Sequence, residues 1–138
     1  MAEIELINVS KSWGDFKAVI DFNLTIKDKE FLVLLGPSGC GKTTTMRMIA
    51  GLEDLTNGII KIDRKIVNEL EPKDRDVSMV FQSYGLYPNM TVYENVRFPL
   101  KIRKVPRQDH QNLVMKAINM VELDEFCHRK PAELSGGQ

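Results

Sequence analysis

Cysteine is scarce: Cys40 and Cys127 are the only two, without the spacing of a disulfide framework or a metal site, so a reduced, cytoplasmic setting is the simplest reading. Net charge is absent. Nineteen Lys and Arg balance nineteen Asp and Glu, so no long-range field draws the chain to nucleic acid or anionic lipid. No run approaches the roughly 20 apolar residues of a membrane-spanning helix. Glu3 and Glu5 interrupt the first apolar segment, and no basic-then-apolar leader precedes it. Internal repeats and low-complexity segments are also missing. What remains is 138 residues with 43% hydrophobic and 28% charged content, one ordinary domain's length with enough apolar material for a core.

The most informative stretch runs from Phe31 to Leu52, FLVLLGPSGCGKTTTMRMIAGL. A short apolar run reads as a strand, a glycine-rich turn follows, and a helical pattern closes at Gly51. Gly36, Gly41, Lys42 and Thr43 fit the G-x-x-x-x-G-K-[ST] phosphate-binding loop in the strand-to-helix context that it requires. Glycines allow positive φ and close approach, so successive amides can point at one anion. The helix that follows adds unpaired donors and a partial positive charge at its start. Lys42 supplies a point charge for the β and γ phosphates, and the Thr43 hydroxyl is placed for Mg²⁺. Ser38 and Thr44 are auxiliary donors, and Pro37, Gly39 and Cys40 complete the loop. A nucleoside triphosphate is the expected ligand. Cys40 reads as a small residue suited to a tight loop, although its place at a helix start also suits a modifiable thiol.

Residues 3–9 and 16–26 read as strands separated by polar turns at 10–15 and 27–29, so a small antiparallel sheet precedes the loop. Trp13 stands in the first turn. Its ring serves either as an anchor on its own domain or as a platform for a nucleobase. Residues 58–63 and 65–67 form a strand pair around a tight Asp63-Arg64 turn, and Asp76 to Phe81 reads as a buried strand ending at Gln82. Ser83 to Asn89 is a loop broken by Gly85 and Pro88. Thr91 and Glu94 form a capping box that starts a helix running toward Ile102, which Pro99 is expected to kink or end. Leu113, Val114, Ala117, Ile118 and Val121 make the stripe of a second amphipathic helix from Arg107, and a short helix near Leu123 to Cys127 follows. His110 and His128 read as surface residues, neither ligand nor base. The chain closes on Leu134-Ser135-Gly136-Gly137-Gln138, a flexible turn or a second anion nest.

Together GPSGCGKTT at 36–44, VFQSYGLYPNMTVYENV at 80–96 and LSGGQ at 134–138 resemble the ATP-binding subunits of ABC transporters. The agreement covers nearly all 138 residues in the family's order. The resemblance implies an α/β P-loop NTPase with a RecA-like core, an antiparallel β subdomain and a helical subdomain. Residues 1–90 correspond to the β subdomain and phosphate-loop core, and residues 91–138 to the helical part up to the signature. It implies an ATPase using ATP and Mg²⁺, with Trp13 stacking on adenine and Gln82 as the glutamine that contacts the metal or attacking water. Ser135, Gly136, Gly137 and Gln138 form the signature that completes a partner's ATP site. The implied partners are a second ATP-binding subunit in a head-to-tail dimer, permease subunits docking at the loop after Gln82, and indirectly an extracytoplasmic solute-binding protein. The implied location is the cytoplasmic face of the membrane, with no role for nucleic acid.

Within the family the closest resemblance is to importers of the maltose, multiple-sugar and glycerol-phosphate type, with polyamine and iron importers as alternatives. A soluble ABC ATPase of DNA repair or translation and a small P-loop kinase of metabolites are further alternatives. The family pattern continues past the signature with a strand ending in Asp-Glu and a switch histidine, which this sequence does not contain. The resemblance therefore implies the N-terminal part of a longer domain, truncated before Walker B, with exposed sheet edges, weak stability and little hydrolysis by itself.

Overall fold

A computed structural model describes residues 2–138, and the chain divides after Met79 into two compact units. In the first, β1 (Ile4–Trp13), β2 (Phe16–Ile26), β3 (Asn57–Ile62) and β4 (Lys65–Ile66) form a four-stranded antiparallel sheet in the order β2-β1-β3-β4. The first hairpin is longer than local polarity implies. Residues 10–13 belong to β1, and the turn shrinks to Gly14 and Asp15 between the paired Trp13 and Phe16. Bulges explain why this strand does not alternate simply. From Leu6 to Val9 the chain advances three residues while its partner retreats two, from Leu24 to Phe22. Asn8 at the irregularity has φ 48°, and its amide donates to Asn23 Oδ1 at 2.9 Å. Leu6 and Val9 consequently both reach the core, and so does Lys11.

Between β2 and β3 runs α1 (Lys42–Ala50), whose Met48 packs with Leu6, Val9, Ile60 and Ile62. Burying each such side chain stabilises by about 1.5–3 kcal/mol. The helix stops at Gly51, which takes φ 76°, while the amides of Gly51 and Leu52 cap Met48 O and Arg47 O. Buried Arg75 donates to Met48 O at 2.7 Å and Ile49 O at 3.2 Å, satisfying further carbonyls at this end. It also donates to Leu70 O and Asn68 O. Burial lowers the guanidinium pKa, and the nearby Asp54 carboxylate opposes that shift. The β3–β4 turn has positive φ at both Asp63 and Arg64, the geometry that matches the twist of a two-residue hairpin.

Two expected strands are not formed. Residues 31–35 and 76–81 carry no ladder, and Phe31, Leu35 and Val80 are 91%, 87% and 87% exposed. Asp76 to Phe81 is therefore not the buried strand that its composition implies. Exposure still alternates along both segments, so their side chains keep the period of a strand. A strand is defined by hydrogen bonds to neighbours, and none of the described residues supplies them.

The second unit is built on α2 (Val92–Ile102) and α3 (Arg107–Met120). The Thr91–Glu94 capping box is complete, with Glu94 N–H donating to Thr91 Oγ1 and Thr91 N–H donating to Glu94 Oε2. Pro99 does not end α2, which continues through it to Ile102. Phe98 packs against Tyr87 at 4.5 Å between centroids and Leu100 joins the core, so packing on both sides outweighs one missing amide. The core gathers Val92, Val114, Ile118 and Cys127. Leu113 and Val121 are exposed, leaving a narrower stripe than the sequence spacing implies. His110 occupies that stripe instead. Contrary to its reading as a surface residue, it is 4% exposed, with Arg97 Nε donating to Nδ1 and Nε2 bonded to Val105 O. A buried imidazole is stable where both ring nitrogens find partners.

Candidate functional site

The loop of residues 36–41 wraps around the ammonium of Lys42, which donates to Gly36 O and Pro37 O, each at 2.7 Å. At Gly41 the backbone turns into α1 with φ 88°. A Cβ there would lie 2.6 Å from Ala18 O and 3.0 Å from Val19 Cγ2. Strand β2 therefore forms the wall that shapes the loop, and only glycine fits both the dihedral and the space. The first amide of this turn to find an acceptor is that of Thr45, which donates to Gly41 O at 2.8 Å. Among the described residues no acceptor is paired with the amides of Gly41, Lys42, Thr43 or Thr44. Unpaired donors at the positive end of a helix dipole suit an anion of several oxygens.

The hydroxyls divide in the same way. Thr45 is buried and returns its hydroxyl to Gly41 O at 3.0 Å, whereas the Thr43 and Thr44 hydroxyls have no protein partner among the described residues. Thr43 is exposed beside Lys42, as a hydroxyl ligand of a phosphate-bound cation must be. No cluster of three or more His, Cys, Asp or Glu able to hold a metal occurs among the described residues. A divalent ion here would take most of its ligands from phosphate and water, which suits Mg²⁺. Ser38, Gly39 and Cys40 lie exposed along the loop, with Cys40 Sγ 3.3 Å from Lys42 Nζ.

Trp13 closes the β1–β2 hairpin, a few residues along the chain from the Ala18–Val19 wall. Its ring is 46% exposed and stacks on Phe16 with centroids 6.3 Å apart. The ring is thus available, at a strand end and not within a polar turn.

Gln82 and the C-terminal motif belong to the second unit. Gln82 is exposed, in a turn and not at a strand end. Positive φ at Tyr84 and Gly85 turns the chain after it. Asn95 of α2 anchors the far end of that loop, accepting from Tyr87 N–H at 2.8 Å and donating to Tyr87 O, Met90 O and Thr91 O. In the motif, Ser135 N–H donates to Gln138 Oε1 at 2.9 Å and Gln138 N–H to Ser135 Oγ at 3.4 Å. Neither Gly136 nor Gly137 takes positive φ, so the backbone forms a turn and not a nest. A Cβ on Gly136 would lie 3.6 Å from Tyr84 Oη, which places the loop after Gln82 beside the motif.

Sequence reasoning missed Lys11, Asn95 and Arg75, polar residues that organise these loops. Lys11 had one legible signal, a charge two residues beyond core Val9 on the same strand. Nothing local marks the other two.

A β-sheet-supported glycine loop, a helix start with free amides and a lysine within the loop define a phosphate-binding-loop NTPase. The sequence profile described as ABC transporter matches residues 19–138, and the chain belongs to that family. It is 55% identical to the trehalose/maltose import ATP-binding protein MalK of Thermococcus litoralis, over 100% of this chain and 39% of that protein. It is 52% identical to the oligosaccharides import ATP-binding protein MsmX of Bacillus subtilis, over 100% of this chain and 38% of that protein. The spermidine/putrescine import ATP-binding protein PotA of Haemophilus ducreyi is 53% identical over 98% of this chain and 36% of its own length. The chain thus spans under two fifths of these curated relatives. A dimeric structure of a bacterial ABC transporter cassette superposes with TM-score 0.85 at 34% identity, covering 98% of this chain and 64% of that one. A second structure of that cassette, in a post-hydrolysis state bound to ADP and phosphate, gives TM-score 0.84 at 34% identity. These matches make the fold that of the P-loop NTPases. The only hydrogen-bonded sheet among the described residues is its antiparallel part.

Proposed function

We propose that this chain is the nucleotide-binding part of an ABC importer ATPase, coupling ATP binding and hydrolysis to solute uptake, with a sugar as the solute. The observation that carries this reading is the run of unpaired amides from Gly41 to Thr44 at the start of α1, next to a loop whose carbonyls hold the Lys42 ammonium. These amides receive the β and γ phosphate oxygens. Lys42 neutralises charge on the transferring group, Thr43 holds Mg²⁺, and Trp13 takes the base. Held by Thr43 and Gln82, Mg²⁺ would supply further charge neutralisation of the triphosphate. Phosphoryl transfer needs chiefly positioning and such electrostatic stabilisation. Gln82 aligns the metal or the attacking water. Ser135, Gly136, Gly137 and Gln138 supply donors to the triphosphate of a second ATP-binding subunit in a head-to-tail dimer.

The sugar assignment is supported by the relatives named for maltose, trehalose and oligosaccharide import; a polyamine is the second reading, supported by the spermidine/putrescine relative. The loop after Gln82, anchored by Asn95, is the docking surface for permease subunits, which receive solute from an extracytoplasmic binding protein. No described helix is long and apolar enough to cross a membrane, and the proposed location is peripheral, on the cytoplasmic face. The test is Lys42→Ala in the full-length protein. It abolishes binding of a fluorescent ATP analogue, and unchanged affinity would refute the role given to the loop.

A further inference from the structure

Lys11 is a buried cation on the core face of β1, 8% exposed. Its ammonium pairs with Glu53 Oε1 at 2.6 Å and donates to Asp54 O at 2.8 Å, in the segment that follows the Gly51 cap of α1. The same nitrogen lies 5.2 Å from the centroid of Trp13, over the ring. A lysine carries considerable rotamer entropy and a strongly hydrated charge, so burying one at a strand end needs compensation. Here the carboxylate, the carbonyl and the indole face provide it.

We propose that Lys11 is a positioning residue for base recognition, fixing the Trp13 ring relative to the phosphate loop. The proposal rests on reading Trp13 as the base platform. With Phe16 alone beside it, its centroid 6.3 Å away, the indole would be less firmly held, and every nucleotide that stacked on it would bear more of the cost of ordering it. The ammonium holds the ring by cation–π attraction, and Glu53 and Asp54 hold the ammonium. Because those two residues follow the helix that begins at the phosphate loop, ring and loop are referred to one rigid element. Preorganisation of this kind raises affinity without adding a ligand contact. Lys11 therefore bears on the base of a nucleotide and not on its phosphates.

Titration calorimetry of the full-length protein with ATP and with inorganic tripolyphosphate separates these contributions. Lys11→Met weakens ATP by about threefold to tenfold, the size of a partly buried cation–π contact, and leaves tripolyphosphate unchanged. Lys11→Arg retains most of the ATP affinity. Glu53→Gln, which keeps the cation but loosens its tether, gives a smaller loss confined to ATP and serves should Lys11→Met fail to fold. Equal weakening of both ligands, or of neither, overturns the proposal. Trp13→Ala is the separate control: if it leaves ATP affinity unchanged, the base-platform reading fails, and if it weakens ATP while the Lys11 and Glu53 variants do not, only the role of Lys11 fails.

Discussion

The two glycine-rich loops have similar composition and opposite construction. In the first, Gly41 is fixed at φ 88° against Ala18 O, and the loop carbonyls enclose Lys42. In the second, neither Gly136 nor Gly137 takes positive φ, and no atom lies within 4 Å of where a Cβ on Gly137 would sit. The first is sterically defined by β2 and by its own carbonyls. The second is an open turn held by bonds between Ser135 and Gln138; under the proposed function its donors gain most from a ligand presented by another subunit. Preorganised donors bind alone, while open ones contribute once a second surface completes the site.

Substitutions can break or sharpen this contrast. Gly41→Ala has the largest expected effect: the new Cβ meets Ala18 O at 2.6 Å in a left-handed conformation, the amides shift, and in the full-length protein the proposed ATP turnover falls about a hundredfold, as for a misplacement of about 1 Å. Steady-state kinetics checks it, and normal turnover would mean that β2 does not fix the loop. Arg75→Met comes next. It strips the carbonyls of Met48 and Ile49 of a buried charged donor, and denaturant unfolding should show a loss of about 3 kcal/mol.

Thr91→Ala removes the α2 cap that anchors the second loop's unit and costs about 1 kcal/mol. That cap also depends on pH. The Thr91 backbone bond holds the Glu94 carboxyl below its ordinary value of 4.5. The contribution is therefore fully present above that value and is lost as pH falls through the lowered one. Thermal melts of wild type and Glu94→Ala should differ by a constant amount at neutral pH and converge on acidification. Gly137→Ala should change stability least, within about 0.5 kcal/mol, while still impairing the ATP-driven dimerisation proposed for the full-length protein, measured by light scattering. Large unfolding by this variant would show that the signature turn is as constrained as the phosphate loop.

Much of the site was legible because its chemistry is local. The turn at Gly41 into α1, the capping box and the Asp63-Arg64 turn each depend on residues within a few positions of one another, and each forms as read, although the strand expected before the glycine loop does not. His110 was misread because Arg97, which donates to its Nδ1, reaches it only when α2 and α3 pack. Residues 31–35 and 76–81 were read as strands from a period that they do keep, but pairing depends on neighbours that a period cannot specify.

By itself the sequence determined the local form of the proposed phosphate loop, since a glycine's freedom, a helix start and a lysine's reach are set by adjacent residues. Only the tertiary structure decided which polar side chains became internal braces. Lys11, Arg75 and His110 look like ordinary polar residues along the chain, and a group that satisfies each comes from another segment brought close by folding: Asp54 O for Lys11, Met48 O for Arg75 and the Arg97 guanidinium for His110. Burial of a polar group is decided by whether distant partners can replace water, and that is a property of the packed molecule.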